Sequence, residues 1–361
     1  MRSRALLAIA FILVLSIVAA CGGSAQPAGN ASNSGQSGQA NAAGKVTLIL
    51  GAYTTPREAY SKIILLFKKQ WKDKTGQDVE FQESYLGSGA QSRAIVGGFE
   101  ADIAALSLES DIDRIKDAGL ITHDYKSEQY GGMVSDSVVV VAVRKGNPKG
   151  IKDWNDLAQN GLNVLTPDPK TSGGAQWNVM AMWGAARRGF VQGVAKDDDN
   201  AARDFVKTVF KNVSVLDKGA RESITNYEKG VGDVAITYEN EVLVGKKNGQ
   251  DYDYVIPRST ILIENPIAVV DKYADKHGTR QVAEAFRDFL WSKDAQRIFA
   301  EYGLRSVDPN VARETKSQFP DVQDLFKITD VGGWPTVTKT FFSEDGIYSK
   351  LIEEVQQEKA K

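Results

Sequence analysis

Strand-like and helix-like segments alternate along this chain, and the alternation runs twice. The first series opens with "KVTLILGAY" (45–53), a short β-branched and apolar run that reads as a buried strand. Tyr60, Ile63, Ile64, Phe67 and Trp71 then recur at helical spacing, with Lys and Glu between them. Thr54 or Thr55 suits the cap of that helix, Pro56 its first position and Gly76 its end. "DVEFQES" (78–84) is a second strand, "LGSGAQSRAIVGGF" a Gly-rich turn into a helix, and "ADIAALSL" a third strand. The second series runs through the strands "SVVVVAVRKGNP" and "NVLTP" and the helices "WNVMAMWGAARRGF" and "DNAARDFVKTVFKNV". "SVLDKGARES" reads as a strand and turn, and "GDVAITYENEVLVG" as a strand leading into a helix. "NPIAVVDK" is a last strand, followed by helices over "RQVAEAFRDFLWSKDAQRIFAEYG". This order predicts an α/β fold with a largely parallel sheet, in two lobes. On such sheets ligands collect at the carboxyl ends of the strands, where helices begin.

The N-terminal segment speaks of location. Arg2 and Arg4 precede an apolar run from Ala5 to Ala20, and Val18-Ala19-Ala20-Cys21 follows. A short basic region, an apolar core and small residues before a cut site describe a secretory signal over residues 1–20. A cysteine directly after them has the form of a bacterial lipoprotein signal, with Cys21 lipidated as the mature N-terminus. Cys21 is the single cysteine, so no disulfide forms within the chain and its stability rests on packing. Residues 22–44 are almost wholly small and polar, which predicts a disordered tether spanning about 25 Å behind the lipidated Cys21. The formal net charge of −2 gives no electrostatic reason to expect nucleic acid as a partner.

The chemistry that is missing narrows the function. The only histidines, His123 and His277, lie far apart beside charged residues and read as surface groups. A histidine metal site or a Ser-His-Asp triad is therefore poorly supported, and neither H-E-x-x-H nor G-x-S-x-G occurs. The six tryptophans are scattered and read as packing residues. What recurs is a strand entering a helix through small and hydroxyl residues: "AYTTPRE" (52–58), "YLGSGAQ" (85–91) and "TSGGAQ" (171–176). The free N–H groups and positive dipole end of a helix N-terminus suit an anion, glycine lets the backbone approach, and serine adds a donor. Any one such turn is also an ordinary cap. Three of them, without catalytic residues, predict a site that binds an oxyanion and leaves it unchanged.

These turns also carry a resemblance. "PKTSGGA" resembles the bacterial sulfate-binding protein signature N-P-K-[S/T]-S-G-x-A-R, with Asp168 and Gln176 in place of the usual Asn and Arg. "KDKTGQDVEFQES" (72–84) resembles a second signature of that family, with Glu83 where Gln is usual. "RKGNPKGIKDWNDL", "FKNVSVLDKGAR", "GDVAITYENE" and "VVDKYADK" extend the likeness over nearly the whole body. The resemblance implies the two-lobed periplasmic-binding-protein type II fold with a ligand cleft between the lobes. It implies a solute receptor, not an enzyme and without a cofactor or metal, that delivers sulfate or thiosulfate to the permease and ATPase of an ABC importer. Such a receptor is a monomer, exported and held by lipid on the outer face of the cytoplasmic membrane, or in the periplasm of a host with an outer membrane.

By the same resemblance Ser88 gives its hydroxyl or backbone N–H to the anion. Ser172, Gly173 and Gly174 give hydroxyl and backbone donors, and Ala220 a backbone N–H. Thr54 stands where the family has Asp acting mainly through its backbone N–H, and Tyr238 where it has a Trp whose indole N–H reaches the ligand. Arg221 supports the site from below, or forms an ordinary surface ion pair. The expected layout is a first lobe over 45–132 and 239–297, a second over 133–238, and C-terminal helices over 298–361 packing across both. A donor-only cup disfavours hydrogen phosphate, whose proton finds no acceptor, by about 1–3 kcal/mol. Competing readings are a receptor for molybdate or another tetrahedral oxyanion, an oxyanion-processing enzyme, and an adhesion or sensing module on the same fold.

Overall fold

The computed structural model describes residues 44–361; the signal and lipidation readings at residues 1–21, and nearly all of the tether, fall outside them. Strand β1 (Val46–Tyr53) leads to helix α1 (Arg57–Thr75), β2 (Val79–Leu86) to α2 (Ser88–Val96), and β3 (Ile103–Ala105) to α3 (Glu109–Asp117). The long β4 (Met133–Arg144) precedes β5 (Val164–Pro167), α4 (Gly173–Arg187), α5 (Asp199–Lys211) and β6 (Val213–Asp217). Next come α6 (Ala220–Glu228), β7 (Val234–Tyr238), α7 (Glu239–Lys247), β8 (Tyr252–Val255) and the long β9 (Ser259–Val269). Helices α8 (Asp271–His277), α9 (Arg280–Leu290), α10 (Lys293–Glu301) and α11 (Pro309–Glu314) are followed by β10 (Asp324–Phe326), α12 (Gly333–Phe341) and α13 (Ile347–Lys359).

The strands lie in the order β2-β1-β3-β9-β4-β7-β5-β6, with β10 beside β9 and β8 beside β4. Within each half the pairing is parallel, β1 with β2 and β3, and β5 with β6 and β7. The sheet as a whole is mixed, against the largely parallel one expected. Strands β4 and β9 run antiparallel to each other, β9 is antiparallel to β3, and β4 to β7 and β8. Antiparallel strands often alternate apolar and polar residues, but β4 is buried on both faces and shows the near-continuous apolar run expected of a parallel strand.

The two long strands join the halves. Residues Ser135–Val138 of β4 pair with Leu262–Asn265 of β9; β4 continues along β7 and β9 along β3. The first lobe packs α1, α9 and α10 over its strands through Tyr60, Phe67, Phe286 and Phe299. The second packs α4, α5, α12 and α13 through Trp177, Met180, Phe210, Trp334 and Leu351. All six tryptophans are buried, as packing residues should be. Val242 and Tyr252 share a core with Val138 and Ile224, and β9 meets β3 only at Ile267.

Two local readings change. "DKGAR" opens helix α6 instead of ending in a turn, because Gly219 in extended conformation lets the helix start at Ala220 without a side-chain cap. Helix α1 starts at Arg57 with Pro56 as its cap residue, and neither Thr54 nor Thr55 caps it through a side chain.

Candidate functional site

Each strand that ends on the cleft side hands over to a helix within a few residues: β1 to α1, β2 to α2, β5 to α4, β6 to α6 and β7 to α7. The turns interlock because three are built on glycine. A β-carbon on Gly87 would stand 2.5 Å from the Thr171 carbonyl oxygen and 2.8 Å from that of Lys218. One on Gly173 would meet Ser107 Oγ at 2.8 Å, and one on Gly174 would meet Tyr238 Cε2 at 2.6 Å and Ala220 Cβ at 3.2 Å. One on Gly219 would lie 3.7 Å from Thr54 Oγ1 and 3.9 Å from Gly87 Cα. Across the turns, Ala90 N–H donates to Thr171 O at 3.2 Å and Arg93 Nη2 to Lys170 O at 2.9 Å. Thr54, Ser88, Ser172, Gly173, Gly174, Ala220 and Tyr238 thus lie on adjoining turns and strand ends.

These turns are largely buried and rich in donors. Ser88, Ser172, Ala220 and Tyr238 are all at most 5% exposed. Among the described residues, the N–H groups of Ser88, Gly89, Gly173, Gly174 and Ala220 find no acceptor. As first-turn donors they have no partner inside their own helices. Ser172 Oγ accepts from Ala175 N–H at 3.4 Å, which leaves its own proton to give. Ser88 differs: its hydroxyl donates to Asp111 Oδ2 at 2.6 Å and accepts from Ser107 N–H at 2.9 Å. Its hydroxyl proton is committed, which leaves its backbone N–H as its one free donor.

The charges nearby are matched. Asp111, 1% exposed, is paired with Arg114 Nη1 at 2.6 Å. Arg221 gives Nε to Glu241 Oε2 at 2.6 Å, both terminal nitrogens to Glu58, and Nη2 to Thr55 O at 3.1 Å. Arg221 is therefore held by two carboxylates and fixes the Thr54–Thr55 turn through the carbonyl. Burial pushes the Tyr238 hydroxyl above the ordinary phenol range, so it stays protonated. That hydroxyl lies 2.6 Å from Ser107 Oγ, and its ring is 6.3 Å from that of Tyr53, whose hydroxyl donates to Asn265 Oδ1 at 2.6 Å. Ser107 and Asp111 had no place in the sequence-derived site. The only trace they leave is a serine in the turn between strand "IAA" and helix α3 and an aspartate in the first turn of α3.

The histidines lie elsewhere and are partly buried instead of at the surface. His123 Nδ1 sits 2.7 Å from Asp271 Oδ2, and His277 Nδ1 2.7 Å from Asp102 Oδ1. A cavity of about 700 Å³ lined by Arg93, Lys170, Gln176 and Tyr348, among others, contains none of the seven clustered residues. The clustered residues offer neutral, mostly buried donors, and the charged side chains beside them, Asp111 and Arg221, are both paired.

The chain is similar to known proteins over most of its length. The family model described as bacterial extracellular solute-binding protein matches residues 29–305. A sulfate-binding protein of Synechococcus elongatus is 43% identical over 350 residues, covering 96% of this chain and 95% of that protein. A thiosulfate-binding protein of Escherichia coli is 36% identical over 312 residues, covering 84% of this chain and 90% of that protein. The solved structure of the sulfate-binding protein SubI from Mycobacterium tuberculosis is similar with a TM-score of 0.74 at 36% identity, over 81% of this chain and 98% of that one.

Proposed function

The chain belongs to the bacterial extracellular solute-binding proteins, and on that premise we propose that it captures sulfate, or thiosulfate, and delivers it to an ABC importer. The observation that carries this reading is the set of unpaired N–H groups at Ser88, Gly89, Gly173, Gly174 and Ala220, converging where Arg221 is already neutralised. A dianion placed there gains several charge-assisted hydrogen bonds and the positive ends of three helices, without a facing cation. Thr54 contributes its backbone N–H, Ser172 its hydroxyl and Tyr238 its phenol proton. Arg221 supports the cup by holding the Thr55 carbonyl.

The relatives are named for what they bind and not for a reaction, which suits a receptor. Its partners are then a membrane permease and its ATPase, and its anchor a lipid on Cys21. As a lipid-tethered monomer it would work outside the cytoplasmic membrane. Titration calorimetry of the exported protein with sulfate, thiosulfate, molybdate and phosphate tests the reading. Sulfate or thiosulfate should bind tightest; molybdate binding best would move the protein to another oxyanion class.

A further inference from the structure

Ser88 of the first lobe and Ser172, Gly173, Gly174 and Ala220 of the second are buried where the lobes meet, so an anion reaches their donors only while the lobes stand apart. Contacts made only on closure then govern how fast it leaves. Some polar contacts across this seam are open to water, such as Arg93 Nη2 with Lys170 O. One contact is of another kind. Leu108 follows β3 in the first lobe, is fully buried, and belongs to the apolar core of the second lobe, with Trp177, Trp334 and Val337. It holds the cap position of α3 without a side-chain bond to that helix, where Ser, Thr, Asp or Asn is usual. A β-carbon on Gly173 would lie 2.9 Å from Leu108 Cγ, so a larger residue at 173 would push Leu108 out. Beside it the Ser107 carbonyl accepts from Trp177 Nε1 at 3.0 Å, a buried bond across the seam, and the Trp177 ring meets that of Trp334 edge-on at 4.6 Å.

We propose that Leu108 is a positioning residue, a plug of the first lobe that seats in the Trp177 core of the second and sets the rate of anion release. This rests on the reading of the cup as an oxyanion site. In the seated state the Leu108 side chain is dry, the indole N–H is paired, and the adjoining turn holds the Gly173 and Gly174 N–H groups against the first lobe. Parting the lobes brings Leu108 into water, which costs free energy in proportion to its apolar area. The Ser107 carbonyl and the indole meanwhile exchange each other for water at little net cost. The apolar side chain therefore carries most of the latch. It brings neither donor nor charge to the cup, so it slows release without choosing among anions.

The test uses the exported protein and whichever of sulfate and thiosulfate it binds tighter by calorimetry. Stopped-flow tryptophan fluorescence reads association and release. In Leu108→Ala release should quicken about tenfold or more, the scale of three fewer buried carbons, and association should not slow. Leu108→Val, one carbon smaller, should quicken release about fourfold, which serves if the alanine variant does not fold. Circular dichroism checks each variant. A second readout separates a latch from a mere packing defect. In Leu108→Cys the introduced thiol, identified by peptide mass, should react with iodoacetamide in the ligand-free protein and about tenfold more slowly with the anion at saturation. Equal labelling with and without the anion overturns the proposal. So does release within twofold of the original in both Leu108→Ala and Leu108→Val, or a loss of affinity carried by slower association. If neither anion binds the unaltered protein, the reading of the cup falls and the latch with it. An anion that binds while leaving Leu108→Cys equally reactive rejects the latch alone.

Discussion

Arg221 Nε lies 2.6 Å from Glu241 Oε2, a carboxylate only 1% exposed, while the same guanidinium also grips Glu58 and the Thr55 carbonyl. Three helix N-termini, those of α1, α6 and α7, are thereby tied by one side chain. Arg221→Met keeps much of the volume but strands Glu241 in a buried place. Removing one partner of such a pair costs about 3–5 kcal/mol, because the remaining charge is uncompensated. Urea denaturation should show that loss, and adding Glu241→Gln should recover part of it. A stability within about 1 kcal/mol of the original would mean that Arg221 is an ordinary surface pair.

Gly174 faces a different constraint, steric and local. A methyl group there would lie 2.6 Å from a ring carbon of Tyr238, which is fully buried and has nowhere to go. Overpacking of this kind costs about 1–3 kcal/mol, and Gly174→Ala should lose stability in that range along with sulfate affinity. Tyr238→Phe keeps the offending carbon and should give no relief. Tyr238→Leu removes the ring edge, so Gly174→Ala with Tyr238→Leu should be less destabilised than the sum of the two single changes. Strict additivity would place the clash elsewhere.

These two neighbourhoods differ in how far the sequence foretells them. The turns at 85–91 and 171–176 were legible as strand-to-helix connections, because glycine and serine between an apolar strand and a helical pattern mark where a helix begins. The faces of α1 were equally plain: Tyr60, Ile63, Ile64, Phe67 and Trp71 are all buried. Ser107 could not be read. Its meaning comes from Tyr238, 131 residues away, and a lone serine in a turn carries no sign of its partner. The commitment of the Ser88 hydroxyl to Asp111 was hidden for the same reason. Strand direction escaped too, since β4 and β9 have the same apolar pattern as their parallel neighbours. Helix α6 was missed because it begins on Gly219 with no capping side chain to announce it.

The lipid anchor rests on "VAAC" after the apolar run. Cys21→Ala leaves no thiol to carry lipid, so the protein should either leave the membrane fraction or remain unprocessed. Fractionation of cells followed by immunoblotting reads the outcome. Normal processing with the variant still bound to membrane would remove Cys21 from the mechanism of attachment.

His277 makes the body's stability depend on pH. Its Nδ1 is 2.7 Å from Asp102 Oδ1 and its Nε2 2.9 Å from Glu100 Oε2. Burial works to lower its pKa, but the bonds to Glu100 and Asp102 outweigh it and raise the imidazole above its ordinary value. Asp102 is itself fully buried and also accepts from Ile49 N–H at 2.6 Å and Thr279 Oγ1 at 2.7 Å, so the protonated ring meets a carboxylate held in place. A pKa raised by folding means that the folded state holds the proton more tightly than the unfolded chain. Its contribution is complete below the unfolded value of about 6.5 and is lost as pH rises through the higher folded value. Other groups titrate over the same range, so the useful quantity is the difference between the original protein and His277→Gln. Urea midpoints at pH 5.5 and pH 8.5 should show a wider gap at the lower pH, where both ring nitrogens donate. As pH rises through the higher folded value the ring loses a proton and keeps one donor, so the gap narrows toward pH 8.5. An equal gap at the two pH values would mean that His277 contributes packing alone.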